Sequence, residues 1–145
     1  MIFLDTMALL YFVNGEERLP IALREEILNA QSVCVSVASI WEIGIKGRLG
    51  RLDFLGHKLD TAEAVERLVA KCREEGLELI AIQPEHVCAA PFLKGMHKDP
   101  FDRMIVAQAL ERNATLISSD ATLDSLSPAL RRRWAEADRR PPARA

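Results

Sequence analysis

The chain has 145 residues, 49% of them hydrophobic and 28% charged, with a formal net charge of −2. Those values suit one soluble globular domain with a full apolar core. The apolar run at residues 7–13 is far too short to cross a bilayer, and no basic leader precedes Asp5, so a cytoplasmic chain is expected. Cys34, Cys72 and Cys88 are odd in number and lack metal-type spacing, and they read as buried thiols in a reducing compartment.

In chain order, Ile2–Leu4 reads as a buried strand and residues 7–13 as a short helix, with Gly15 and Pro20 as punctuation. Ile21–Asn29 forms a charged-faced helix, and residues 32–35 a second strand. Residues 38–46 form a helix that Gly47 and Gly50 should end. Residues 61–75 carry Ala62, Val65, Leu68, Val69 and Cys72 at helical spacing, and Gly76 stops them. A strand at 77–82, a short helix at 84–90, a strong helix at 100–112 and a strand at 115–118 follow. No strand is expected beyond Ser127-Pro128. Residues 1–130 read as one domain and 131–145 as a basic, partly disordered tail, in which six arginines face only Glu136 and Asp138.

Strands separated by helices require crossover connections, which predicts an α/β fold of three layers with a mainly parallel central sheet. Sites in such sheets lie beyond the carboxyl ends of the strands. Asp5 and Asp120 close two predicted strands, Glu42 sits on a helix that starts at that edge, and Asp102 lies in the first turn of a helix returning to it. Each acid has a structural role open to it. Asp5 can cap the first helix, and Asp99-Pro100-Phe101-Asp102 is a good helix start. Glu42 can pair with Lys46 at i+4, and Asp120 can cap a turn. None of these roles explains why all four acids meet at one edge. Clustered carboxylates repel unless a positive charge lies between them, and a hard divalent cation with oxygen ligands is the usual solution. His97 could touch substrate or a metal-bound water, whereas His57 and His86 read as surface or satisfied-core residues.

The segments Phe3-Leu4-Asp5-Thr6, Ser39-Ile40-Trp41-Glu42-Ile43-Gly44-Ile45-Lys46, His97-Lys98-Asp99-Pro100-Phe101-Asp102-Arg103 and Leu116-Ile117-Ser118-Ser119-Asp120 resemble the PIN-domain ribonucleases. Within them the resemblance is to the VapC-type toxins of toxin–antitoxin pairs with Trp-Glu and Asp-Pro-Phe-Asp-Arg motifs, over roughly residues 1–126. It implies a compact α/β/α nuclease, usually a homodimer, held in check by a VapB- or Phd-like antitoxin. Asp5, Glu42, Asp102 and Asp120 match the family's acidic quartet, and Asp99 is an additional acid with a capping or outer role. The family's frequent short apolar C-terminal strand is replaced here by Leu130-Arg131-Arg132-Arg133-Trp134.

The expected reaction is hydrolysis of RNA phosphodiesters with Mg²⁺ or Mn²⁺. Asp5 and Asp102 are the expected main ligands, completed by Glu42 and Asp120. Lys46 and Arg103 are candidates for phosphate contact. The antitoxin is expected to set an Arg or Lys at the acidic edge and to anchor beside the 38–46 helix, with Trp41 as an apolar anchor. Two rivals remain. A phosphatase with Asp5 as nucleophile usually wants a second acid where Thr6 and Met7 stand. A catalytically silent RNA- or protein-binding module has no need of four clustered acids.

Overall fold

The structure, a computed structural model, describes residues 1–134. Its core is a five-stranded sheet of β1 (Ile2–Leu4), β2 (Val33–Ser36), β5 (Glu78–Ile80), β6 (Thr115–Ile117) and β7 (Arg131–Arg133), in the order β5-β2-β1-β6-β7. Every neighbouring pair in it is parallel. The predicted three-layer α/β/α architecture is therefore what forms. Six α-helices supply the outer layers among the described residues: α1 (Thr6–Asn14), α2 (Ile21–Asn29), α3 (Val37–Arg48), α4 (Ala62–Glu74), α5 (Pro84–Ala89) and α6 (Pro100–Glu111).

The pleat of β1 assigns the layers, because successive side chains point to opposite faces. Phe3 packs with Leu116, Ile105, Val106 and Ala109, so α6 covers one face. Leu4 packs with Ile117, Leu9, Ile43 and Leu68, so α1, α3 and α4 cover the other. Strands buried on both faces read as continuous apolar runs rather than alternating ones.

Three local features differ from expectation. The helix read as 38–46 runs to Arg48, and Gly47 is not its stop. A Cβ at Gly47 would lie 1.9 Å from the Leu59 carbonyl oxygen, so this glycine admits a crossing segment. Residues 53–58, for which the sequence suggested no element, form a hairpin of β3 (Asp53–Phe54) and β4 (His57–Lys58). Its two turn residues, Leu55 and Gly56, both have positive φ, 49° and 79°, as a two-residue primed turn demands.

The third difference is β7, since no strand was expected past Ser127-Pro128. Three consecutive arginines extend the sheet, with Leu116 registered against Arg132. Their charges are met one by one. Arg132 holds Asp124 by two bonds of 2.9 and 3.0 Å and donates to the Ser118 carbonyl at 3.0 Å. Arg133 pairs with Glu26 at 2.6 Å, and Arg131 reaches the Asn113 carbonyl. A charged strand on a sheet edge also discourages further strand pairing. Arg131 to Arg133 thus belong to the sheet, and the remainder of the expected basic tail, from residue 135, lies outside the described residues. No described helix is long and apolar enough to cross a membrane. Cys34 and Cys72 are buried free thiols as expected, but Cys88 is exposed.

Candidate active site

The register aligns Leu4 with both Val35 and Ile117. The residues that follow these three, Asp5, Ser36 and Ser118, therefore lie at one level on the carboxyl edge of the sheet. β1 is also where the strand order reverses direction, which makes the crevice beside its carboxyl end the favoured place for a site. A cavity of about 150 Å³ opens there, lined by Asp5, Thr6, Glu42, Lys46, Asp99, Asp102 and Asp120 among others. All five predicted acids and Lys46 meet in it.

Asp5 begins α1 and accepts a hydrogen bond from the Ala8 amide at 2.8 Å, so it does cap that helix. Its carboxyl is buried and, among the described residues, has no cation beside it. Burial pushes its pKa up to about 6, with smaller upward contributions from Asp102 and Glu42; bonds from Ser118 and the Ala8 amide pull the other way. Glu42, 4% exposed, is the opposite case. Its Oε1 accepts from Thr6 Oγ1 at 2.5 Å and its Oε2 lies 2.8 Å from Lys46 Nζ. The i+4 pair expected as a structural alternative is present, inside the site rather than on the surface. It raises the Lys46 pKa, chiefly through that hydrogen bond.

Asp99 and Asp102 divide the helix start between them. Asp99 Oδ1 caps α6, accepting from the Phe101 amide at 2.8 Å and the Asp102 amide at 3.3 Å. Asp102 is thereby released from capping and leans inward, on the face carrying Ile105, Val106 and Ala109. Its pKa is raised, first by burial and then by Asp99 and Glu42, against a bond from His97. Asp120 accepts from the Thr122 amide at 3.0 Å and the Thr122 hydroxyl at 2.5 Å, capping the 3-10 turn Ala121–Leu126. Each structural role weighed from the sequence is real, and each coexists with a place in the cavity.

His97 joins the site more closely than its sequence position suggested. Its Nε2 lies 2.8 Å from Asp102 Oδ2 and its Nδ1 3.3 Å from Thr122 Oγ1. His97, Asp102 and Asp120 offer ligand atoms within 4.8 Å of one another. Thr6, Ser118 and Thr122 were missed by sequence reasoning. Hydroxyl residues beside strand ends are too common to carry a signal; only the register and the turn bring these three to the acids. His86 is buried, with Nδ1 accepting from the Gln83 amide at 2.9 Å, while Nε2 lies 2.8 Å from Glu111 without hydrogen-bond geometry.

Arg103 is a correction. Its guanidinium is spent on backbone carbonyls: His97 at 2.5 Å, Ala90 at 3.2 Å, Leu93 at 3.0 Å and Gly95 at 2.9 Å. Four of its five N–H groups are thus engaged, and it pins the loop that delivers His97 and Asp99 instead of facing a phosphate. Arg103→Ala should cost about 3 kcal/mol by leaving several carbonyls without a donor. Arg103→Lys should recover little of it, because an ammonium cannot span four acceptors. Urea unfolding decides the role: equal stability of wild type and Arg103→Lys would return Arg103 to phosphate contact.

The donor set suits a hard divalent cation. Five carboxylates line the cavity, and among the described residues Lys46 is the one cation there, held by Glu42, while the buried Asp5 has no positive partner. The parallel sheet, the crevice beside β1 and the acid set describe an α/β domain with a donor set of the kind that suits a cation at its carboxyl edge. Residues 2–127 match the PIN domain family, and the chain belongs to it. The DNA-bound VapBC2 complex of Rickettsia felis contains a chain with the same fold, at a TM-score of 0.63 and 19% identity, covering 93% of this chain and 100% of that one. The DNA-bound VapBC of Salmonella typhimurium is similar at 0.62 and 19%, covering 91% and 96%. FitAcB of Neisseria gonorrhoeae is similar at 0.57 and 17%, covering 91% and 96%. No curated protein matches the chain.

Proposed function

We propose that this PIN domain is a metal-dependent endoribonuclease and the toxin half of a toxin–antitoxin pair. The observation that carries the reading is the buried carboxyl of Asp5, without a cation beside it among the described residues, sharing a cavity with Asp102 and Asp120 at the carboxyl edge of the sheet. A domain without chemistry has no physical reason to keep that charge cluster, which costs stability whenever the site lacks a cation. Asp5 and Asp102 would hold a Mg²⁺ or Mn²⁺ ion, with Glu42 and Asp120 acting directly or through water. Once bound, such an ion activates water and stabilises the charge that builds on the phosphoryl oxygens.

The chain's own residues do the positioning. Thr6 and Lys46 fix both oxygens of Glu42, so this carboxylate enters the reaction already oriented. Asp99 takes the helix-capping role and leaves Asp102 free. Lys46 lines the cavity and keeps 41% of its side chain exposed while paired with Glu42, so its ammonium would serve a scissile phosphate and Glu42 together.

The antitoxin is the proposed partner, supported by structures of the same fold that include VapBC complexes and a toxin–antitoxin complex from Klebsiella pneumoniae. An apolar groove of about 720 Å³ between α3 and α4, lined by Val37, Ile40, Trp41, Ile45, Val65 and Val69 among others, fits its anchoring segment. Trp41 is 64% exposed there and stacks edge-on against Phe101, 5.3 Å between ring centres, one residue from Asp102. The expectation that Trp41 could anchor a partner is thus favoured over a core role.

Freed of antitoxin, the purified chain should cut RNA only with Mg²⁺ or Mn²⁺ and stop in EDTA. Restored antitoxin should stop it again. Cutting by a verified metal-free sample would sink the mechanism, and metal binding without any cutting would favour a silent binding module. Light scattering on the same sample reports whether the chain forms the homodimer that also belongs to this proposal.

A further inference from the structure

The quartet of acids leaves one well-placed side chain unexplained. His97 stands in contact with Asp102, and two elements position it. Arg103 holds its carbonyl and the preceding loop, and Thr122 holds its ring.

The ring's orientation has a chemical consequence. Thr122 has one hydroxyl hydrogen, and the 2.5 Å contact directs it to Asp120 Oδ1. Thr122 Oγ1 is then an acceptor for His97, so Nδ1 carries a ring hydrogen, and in the neutral ring Nε2 presents a lone pair. Nε2 lies 2.8 Å from Asp102 Oδ2. The two atoms need something positive between them, either a proton on Nε2 that His97 donates to Asp102 or a metal ion that takes the proton's place. Adjacent ligands on a six-coordinate ion with bonds of about 2.1 Å are about 3 Å apart, so one cation can accept from both atoms with little movement. Asp120 offers a third ligand atom within 4.8 Å. An Asp120–Thr122–His97 chain is also the arrangement by which an outer hydrogen bond sets the tautomer of a metal-binding imidazole.

We propose that His97 Nε2 is a direct ligand of the ion beside Asp102 and Asp120, and that this nitrogen tilts the site toward Mn²⁺ over Mg²⁺. Imidazole suits first-row transition ions, whereas Mg²⁺ keeps to oxygen and gives up water reluctantly. The proposal rests on the metal-dependent nuclease reading but is separable from it. The four acids could bind a cation with His97 left outside.

Pulsed EPR of Mn²⁺ added to the antitoxin-free full chain tests it without any cleavage assay. The wild-type spectrum should show coupling of the Mn²⁺ electron spin to a ¹⁴N nucleus. His97→Ala should lose that coupling while still binding Mn²⁺, with affinity lower by about tenfold or more. Its Mg²⁺ affinity, measured by calorimetry, should change much less. Bound Mn²⁺ without nitrogen coupling in the wild type overturns the ligand role and leaves the carboxylate reading standing. Coupling that survives His97→Ala overturns it too, by assigning the nitrogen elsewhere. Failure of the wild type to bind Mn²⁺ at millimolar concentration removes both.

Discussion

Replacing Asp5 or Asp102 by Asn should lower RNA cleavage by on the order of a thousandfold or more, since a cation worth several kcal/mol of transition-state stabilisation loses its main anchors. The folds should survive. Asn keeps the oxygen that accepts from the Ala8 amide at position 5, and the α6 cap belongs to Asp99, not Asp102. Gel assays of labelled RNA, paired with unfolding curves, separate the two effects. A marked stability loss in metal-free Asp102→Asn would mean that its carboxylate holds the helix start after all. Retained cleavage in Asp5→Asn would overturn the assignment of the site.

Metal-free stability should depend on pH through Asp5, and in the direction opposite to an ordinary paired carboxylate. Burial raises its folded pKa to about 6, above the unfolded value of about 3.9. The native chain therefore holds the proton longer than the unfolded chain. Below about pH 4 the carboxyl is protonated in both states, and the site carries no penalty. Stability then falls as the pH rises through about 6, by about 3 kcal/mol in total. Asp5→Asn lacks this titration, so in EDTA it should exceed the wild type by about 2 kcal/mol at pH 7.5 and lose that lead near pH 4. Asp102, also raised by burial, adds to the fall, whereas Asp124, held by Arg132, acts in the ordinary opposite direction. Urea unfolding at both pH values gives the comparison. A difference between the proteins that is independent of pH would mean that Asp5 ionises normally. Added Mg²⁺ should reverse the order at pH 7.5 by binding the wild type alone.

The layer architecture and the gathering of the acids at one edge of the sheet could be read along the chain. Continuous apolar runs at Ile2–Leu4 and residues 33–35, separated by helical periods, require buried parallel strands, and parallel strands put their carboxyl ends on one edge. Asp5, Glu42, Asp102 and Asp120 could be gathered from that rule without coordinates. Tertiary structure decided what each group is free to do. Arg103 sits in the most distinctive motif of the chain, yet four carbonyls from residues 90–97 claim its guanidinium, and no local pattern announces carbonyls that a loop will bring back. Three consecutive arginines read as a solvated tail until Asp124, Glu26 and Asn113, distant in sequence, meet them on the sheet edge. The tautomer argued for His97 likewise depends on Thr122, a residue 25 positions away that only the turn after β6 delivers. Periodicity and capping chemistry act over a few residues and can be read along the chain. Charge compensation and hydrogen-bond satisfaction are settled between segments, and so they become visible only when the fold has closed.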